Sequence, residues 1–430
     1  MRKCDEKYQT YIGILREELV PAMGCTEPIA VAYAAAKARE ILGVLPDRVL
    51  IRASGSIIKN VKSVIVPNTN HLRGIPAAAA SGIIAGDASR ELEVIASVSA
   101  QKKQEIQHFL ESADITTEYL DEGKVFDLIV IVYKGEHHVA VRISDTHTHI
   151  VFIEKDGIVI YEDDSDRNSN GNQASTKRTD RSQLSIEDIW DFAMTVDPED
   201  IRDVLERQIA YNTAIAEEGL RGDYGANIGK TLLKYYGNDV RVRAKAMAAA
   251  GSDARMNGCE LPVIINSGSG NQGITCCLPV VEYAKEMKSS PEELLRALVL
   301  SNLIAIHEKT GIGTLSAYCG AVSAAAGAGA GITYLCGGGY VDMIHTVVNS
   351  LAIVSGIVCD GAKASCAAKI ASSVDAAILG YHMYRNGQEF KGGDGIVMKN
   401  IEATIRSIGQ LGKEGMKDTN QTIIKLMLGE

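Results

Sequence analysis

Nine cysteines are spread over the 430 residues, and four of them have neighbours suited to chemistry. Cys25 lies in Gly24-Cys25-Thr26-Glu27-Pro28. Thr26 can cap a helix and Pro28 suits its first turn. Cys25 is therefore expected beside a helix N-terminus, where the partial positive charge favours thiolate and lowers a thiol pKa. It reads as a nucleophile, a base or a metal ligand, or else as a cysteine that happens to precede a helix. A second set is Cys319, in Ser316-Ala317-Tyr318-Cys319-Gly320, with Cys359 and Cys366, the two ends of Cys359-Asp360-Gly361-Ala362-Lys363-Ala364-Ser365-Cys366. Seven residues of unbroken helix would part those two thiols by about 10 Å, too far for one centre. The Asp-Gly pair is a turn signal. A turn at Cys359 followed by a helix at Cys366 would let both converge. Soft thiolates select Fe–S, zinc or Cu(I), and there is no CxxC zinc pattern. On spacing alone, three unrelated core cysteines are the simpler alternative.

The third group is Asn266-Ser267-Gly268-Ser269-Gly270-Asn271-Gln272-Gly273, after the apolar run Leu261 to Ile265 and before an apolar helix. Gly-rich backbone at a helix start cradles anions, here a substrate carboxylate. It lacks the Gly-Lys-Ser/Thr ending of a P-loop and the spacing of a Rossmann turn. Ser269, Asn271 and Gln272 are the candidate contacts. Lys59 and Asn60 follow a strand in Ser54 to Asn60, Thr69 follows in Pro67 to Asn70, and all three are candidate substrate contacts. His147 and His149 flank Thr148 in a β-rich stretch, which would aim both at one face. As a zinc pair they lack a third ligand, so His147 is read as a polar site group and His149 as a surface residue.

These groups need positioning elements. Thr26 to Ile41, Gly74 to Ala85 and Gln101 to Ser112 read as helices. Arg48 to Ala53, Leu92 to Ser97, Phe126 to Tyr133, His138 to Ile143 and His149 to Ile153 read as strands. Residues 1–161 are thus expected to form an α/β domain. Residues 162–183 have one apolar member, Ala174, and read as a linker or exposed loop. Residues 184–430 show helical patterns only and are expected to be all-α, so the fold class is α+β.

Composition sets the outer bounds. At roughly 150 residues per domain the length allows two or three. With 46% apolar and 23% charged residues the chain is globular rather than disordered. A net charge of −10 argues against a nucleic-acid binder, which needs a basic footprint. Ala317 to Tyr340 is uncharged and long enough for a membrane span. It is mostly Ala and Gly, so a buried helix is the expectation. The first residues carry no signal-peptide pattern. A cytoplasmic protein with reduced thiols is expected, and a homo-oligomer, a dimer by default. Cys276 and Cys277 are adjacent with diverging side chains; Cys4, Cys259 and Cys336 read as structural.

In their order, GCTEP, Ser252-Asp253-Ala254-Arg255-Met256, Ser267 to Gly273, Leu315 to Val322 and Cys359 to Cys366 resemble the L-cysteine desulfidase family, over nearly the whole chain. That family is related to the iron–sulfur L-serine dehydratases and shares their alpha-chain domain. The resemblance implies a [4Fe–4S] enzyme with one open iron that turns L-cysteine into pyruvate, ammonia and sulfide, or L-serine by the same elimination. It implies Cys319, Cys359 and Cys366 as cluster ligands and Cys25 as a base or alternative ligand. Cys25 and Lys363 are the candidate bases, and a small amino acid is the expected partner. A non-catalytic iron–sulfur sensor is the competing class. Two departures bear on the substrate region: Ser56 replaces an Asn of many relatives, and Pro67 to Asn70 replaces their PGTG.

Overall fold

The computed structural model describes residues 1–120, 124–163 and 179–429. Helix α1 (Glu6–Glu18) and strand β1 (Pro21–Met23) lead into α2 (Thr26–Leu42), β2 (Arg48–Ala53), α3 (Gly55–Val61), α4 (Gly74–Ala85) and α5 (Ala100–Ser112). Strands β3 (Asp114–Tyr119), β4 (Asp127–Lys134), β5 (His137–Ser144), β6 (Ile150–Lys155) and β7 (Ile158–Glu162) follow. Then come α6 (Ile186–Thr195), α7 (Arg202–Arg221), α8 (Ile228–Tyr236), α9 (Val240–Met256), β8 (Pro262–Ile264), α10 (Gly270–Met287) and α11 (Pro291–Ile312). The chain ends with α12 (Gly320–Leu335), α13 (Tyr340–Val354), α14 (Cys366–Arg385), α15 (Ile401–Gln410) and α16 (Lys417–Leu428). The architecture is mixed α+β.

One sheet has the order β3-β2-β4-β5-β6-β7. Only β2 and β3 run parallel; the other pairs are antiparallel. Along β2, Val49, Ile51 and Ala53 are buried while Arg48 is exposed, the alternation expected of a sheet with one covered face. Helices α2 and α4 cover it, and their Ala-rich faces lie in the same core as Val130 and Val141.

The helical half is built on small residues. Gly327 in α12 faces the Ser301 carbonyl of α11, and a Cβ there would overlap that oxygen. This close approach explains the Ala/Gly run between Ser323 and Ile332. Among the described residues no helix is long and apolar enough to cross a membrane.

Three expectations are corrected. Leu92 to Ser97 is not a strand: a 3-10 turn spans Ala88–Glu93, broken at Glu91 with φ 46°. Leu92, Val94 and Ile95 are buried all the same, so the apolar run marked burial rather than a ladder. The second half is not wholly helical, because β8 pairs antiparallel with β1, Pro21 opposite Ile264. Three residues starting with Pro carry no period-two signal. His147 and His149 do not share a face, since a turn separates strand β5 from β6 there.

Two ends cross between the halves. Tyr8, Tyr11 and Leu15 of α1 pack with Phe192 and Leu298 of the helical half. Helix α16 returns to α3, where Asn420 bonds Lys59 and Ser56. Most of the stretch read as a linker, 164–178, lies outside the described residues. Its flanks are anchored: Glu162 ends β7, and Arg181 pairs with Glu17 and Glu18 at 2.6 and 2.8 Å.

Candidate active site

Four helix N-termini meet at one cavity of about 110 Å³. Cys25 is the N-cap of α2, Ser269 of α10 and Cys319 of α12, and Cys366 is the first residue of α14. Each start points backbone N–H groups inward, so the cavity favours negative charge.

The two thiol loops are zipped together. Tyr318 and Val358 form an antiparallel bridge. The Cys319 N–H donates to the Ile357 carbonyl at 3.1 Å, and the Cys359 N–H to that of Ala317 at 2.6 Å. The backbones at two cysteines 40 residues apart in sequence are thereby held together. After Cys359 the chain turns at Gly361, whose φ is +92°, and enters α14 at Cys366. Cys319, Cys359 and Cys366 all line the cavity, as does Cys25. Burial and the neighbouring Cys359 sulfur push the Cys319 thiol up to about 12; burial also raises Cys366. Among the described residues no three His, Cys, Asp or Glu side chains are close enough to share a single metal ion.

Cys25 does not behave as its helix position predicted. It is buried, and its Sγ–H donates to Glu27 Oε2 at 2.9 Å. Burial first, and then the Glu27 charge, raise the thiol well above its ordinary value. The helix dipole is outweighed by desolvation and a nearby carboxylate. Glu27 itself accepts from Asn60 Nδ2 at 3.0 Å and stands 3.8 Å from His147 Nε2. Its burial acts upward, yet His147 and the Cys25 thiol hold it down at about 2.

The same cavity is lined by residues whose buried polar atoms have nothing to bond among the described residues. Asn60 Oδ1, Arg255 Nε, Asn271 Oδ1 and Gln272 Oε1 are buried and lack a hydrogen-bond partner, and all four residues line the cavity. Arg255 is 2% exposed and has no ion-pair partner among the described residues. Lys309 also lines it. Its Nζ donates to the Gly313 carbonyl, and burial lowers its pKa to about 8 against the opposing pull of Cys359 and Cys319. An adjoining cavity of about 190 Å³ shares Lys309 and Thr314 and is lined by His147, Ser267 and Gly268.

The serine dehydratase alpha chain model matches residues 89–425. The chain belongs to the serine dehydratase alpha chain family. It is similar to a UPF0597 protein of Desulfitobacterium hafniense (strain Y51), 58% identical over 430 residues, all of this chain and 99% of that one. A UPF0597 protein of Lachnoclostridium phytofermentans is 55% identical over 98% of this chain and 100% of its own. One from Treponema denticola is 47% identical over 98% of each.

In this serine dehydratase-type chain the cavity gathers Cys25, Asn60, Ser269, Asn271, Gln272, Cys319, Cys359 and Cys366. His147 sits in the adjoining cavity; His149 pairs with Asp163 at 2.7 Å. Three candidates stand off the wall. Lys59, 1% exposed, lies behind it and donates to the Cys359 carbonyl at 3.2 Å and to Asn420 at 2.7 Å. Burial lowers its pKa. Lys363 is ion-paired with Asp360 and donates to the Asp360 and Gly361 carbonyls. Thr69 donates to the Val66 carbonyl of its own turn at 2.7 Å. The two sequence departures, Ser56 and Pro67 to Asn70, do not line the cavity either. Glu27, Arg255 and Lys309 were missed as site groups. Glu27 and Arg255 stand inside quoted motifs, and each is a charge amid small residues, a signal that burial was coming.

Proposed function

We propose that this chain is an iron–sulfur-dependent lyase that eliminates the β-substituent of a small amino acid, L-cysteine giving pyruvate, ammonia and sulfide. The observation that carries the reading is that a thiol triad and four residues with unpartnered polar atoms line one small cavity. The donor set fits a [4Fe–4S] group better than a lone ion, because its thiols surround a space without converging on one point. Cys319, Cys359 and Cys366 would hold it, and the four helix starts suit its negative charge. When bound, its open iron would supply Lewis-acid assistance to the departing sulfur or oxygen.

The protein's own groups do the rest. Arg255 receives the substrate carboxylate, with Asn271 and Gln272 beside it. Asn60 and the Glu27 carboxylate face the ammonium. Neutral Lys309 Nζ takes the Cα proton, which its lowered pKa permits near neutral pH. Cys25 keeps its proton, bonded to Glu27, and serves as a donor rather than a fourth ligand. Lys363, tied to Asp360, is the weaker base. Loss of HS⁻ with that proton leaves aminoacrylate, which takes up water to give pyruvate and ammonia.

The family match favours the same elimination from L-serine as a second reading. Anaerobically reconstituted protein assayed on both amino acids separates them. Sulfide and pyruvate in equal amounts, formed faster from L-cysteine, support the desulfidase. Turnover of L-serine alone assigns a dehydratase. No pyruvate from either refutes the lyase.

The protein is also proposed to pair with a second copy through β7. At the opposite edge β3 carries Asp114 and Glu118, charges that discourage pairing. Strand β7 exposes Ile158, Val159, Ile160 and Tyr161 by 70, 50, 54 and 45%. Antiparallel pairing of two such strands about a two-fold axis would satisfy their free backbone edge and set their apolar side chains beside one another.

A further inference from the structure

Among the described residues Glu308 has no counter-charge. It lies in α11 against α12, 1% exposed, with both carboxyl oxygens lacking a hydrogen-bond partner. Burial pushes its carboxyl well above the ordinary carboxylate range; among the described residues no lysine, arginine or histidine acts on it, and Ser323 is the one polar side chain that pulls it back down. Lys309, next in sequence, acts instead on Cys319, Cys359 and Lys59. Two more orphaned oxygens accompany it. Ser323 Oγ, from the first turn of α12, and Tyr318 Oη, just before that helix, are buried without partners. Tyr318 and the buried Cys276 both feel the Glu308 charge. A single unpaired polar atom is tolerable, but a cluster around a carboxyl is costly.

These groups share one need: something between them that accepts coordination from hydroxyl and carboxylate oxygen. Hard oxygen donors select hard cations. A cation that takes the place of the carboxyl proton is balanced by one carboxylate, so a divalent ion would leave a net charge in an apolar interior. We propose that Glu308, Ser323 and Tyr318 form a buried site for a monovalent metal cation, sodium or potassium, clamped between α11 and α12. Such an ion would brace the segment from Lys309 to Cys319 from behind. The inference does not rest on the lyase reading, because its readout is thermal stability.

The test uses the full chain exchanged into choline chloride, then titrated with KCl, NaCl or more choline chloride while unfolding is followed by heating. Potassium or sodium is expected to raise the midpoint by ~2–5 °C over choline at equal ionic strength, and the difference between the two ions identifies the preferred one. Glu308→Gln should remove that rise. An equal midpoint in all salts, or a rise that persists in Glu308→Gln, overturns the site. If the variant does not fold, thallium-205 resonance of the unaltered protein decides. A bound signal displaced by potassium supports the site, and its absence overturns it.

Discussion

Gly361→Ala is the perturbation whose consequence is most fully drawn by the structure. At φ +92° an added Cβ strains the backbone, and it would also overlap the Lys59 carbonyl oxygen. Such a conformation costs of order 1–3 kcal/mol in a non-glycine residue. Relief is blocked on both sides. Lys59 belongs to α3 and is itself bonded to the Cys359 carbonyl and to Asn420 of α16. The loop from Cys359 to Cys366 must therefore move, by on the order of 1 Å, a displacement that costs about 10²-fold in a positioned reaction. The assay is iron retained after anaerobic reconstitution, followed by pyruvate formation. Gly356→Ala is the control, since nothing lies within 4 Å of a Cβ there and its φ is not positive. The control should match the parent. If Gly361→Ala keeps its iron and turns over at the parental rate, the loop does not position the thiols as argued.

Lys309→Met should lower kcat at least 10²-fold, while Lys363→Met stays within a few-fold; the reverse ranking would make Lys363 the base. In the parent, kcat should rise with pH through about 8 as Lys309 loses its proton, and a flat profile across that range would remove it from the role. Arg255→Met should raise KM for the amino acid by ~10²-fold or more, the loss of a charge-assisted contact, and an unchanged KM would place the carboxylate elsewhere. Ile160→Lys should convert a dimer to a monomer in analytical ultracentrifugation with the fold intact; equal masses for parent and variant would exclude β7 as the contact.

Much of the scaffold was legible because burial and period coincide. The strand at Arg48–Ala53 and the helix at Gly74–Ala85 have the bounds their patterns imply, and the Asp-Gly turn brought Cys359 and Cys366 to one wall as its chemistry suggested. Strand β3 escaped notice because an exposed edge strand has no apolar alternation to show. The first residues are expected to belong with 1–161, and only tertiary packing reveals that Tyr8 and Tyr11 of α1 rest on Phe192. The site groups divide the same way. Cysteines and glycine loops announce themselves by type. Arg255 and Lys309 are ordinary in type and become site candidates only through burial at the cavity, which a one-dimensional pattern does not resolve. Cys25 shows the converse: its helix start was readable, but the burial that reverses its expected pKa, with the Glu27 charge second to it, comes from the tertiary fold.

The most direct test of the central claim is the iron and acid-labile sulfide content of protein reconstituted without oxygen, measured for the parent and for Cys25→Ala, Cys319→Ala, Cys359→Ala and Cys366→Ala. The account predicts about four irons and four sulfides in the parent, retained in Cys25→Ala and lost or sharply reduced in the other three. A parent that binds no cluster, or a Cys359→Ala variant that keeps its iron and full activity, would contradict it.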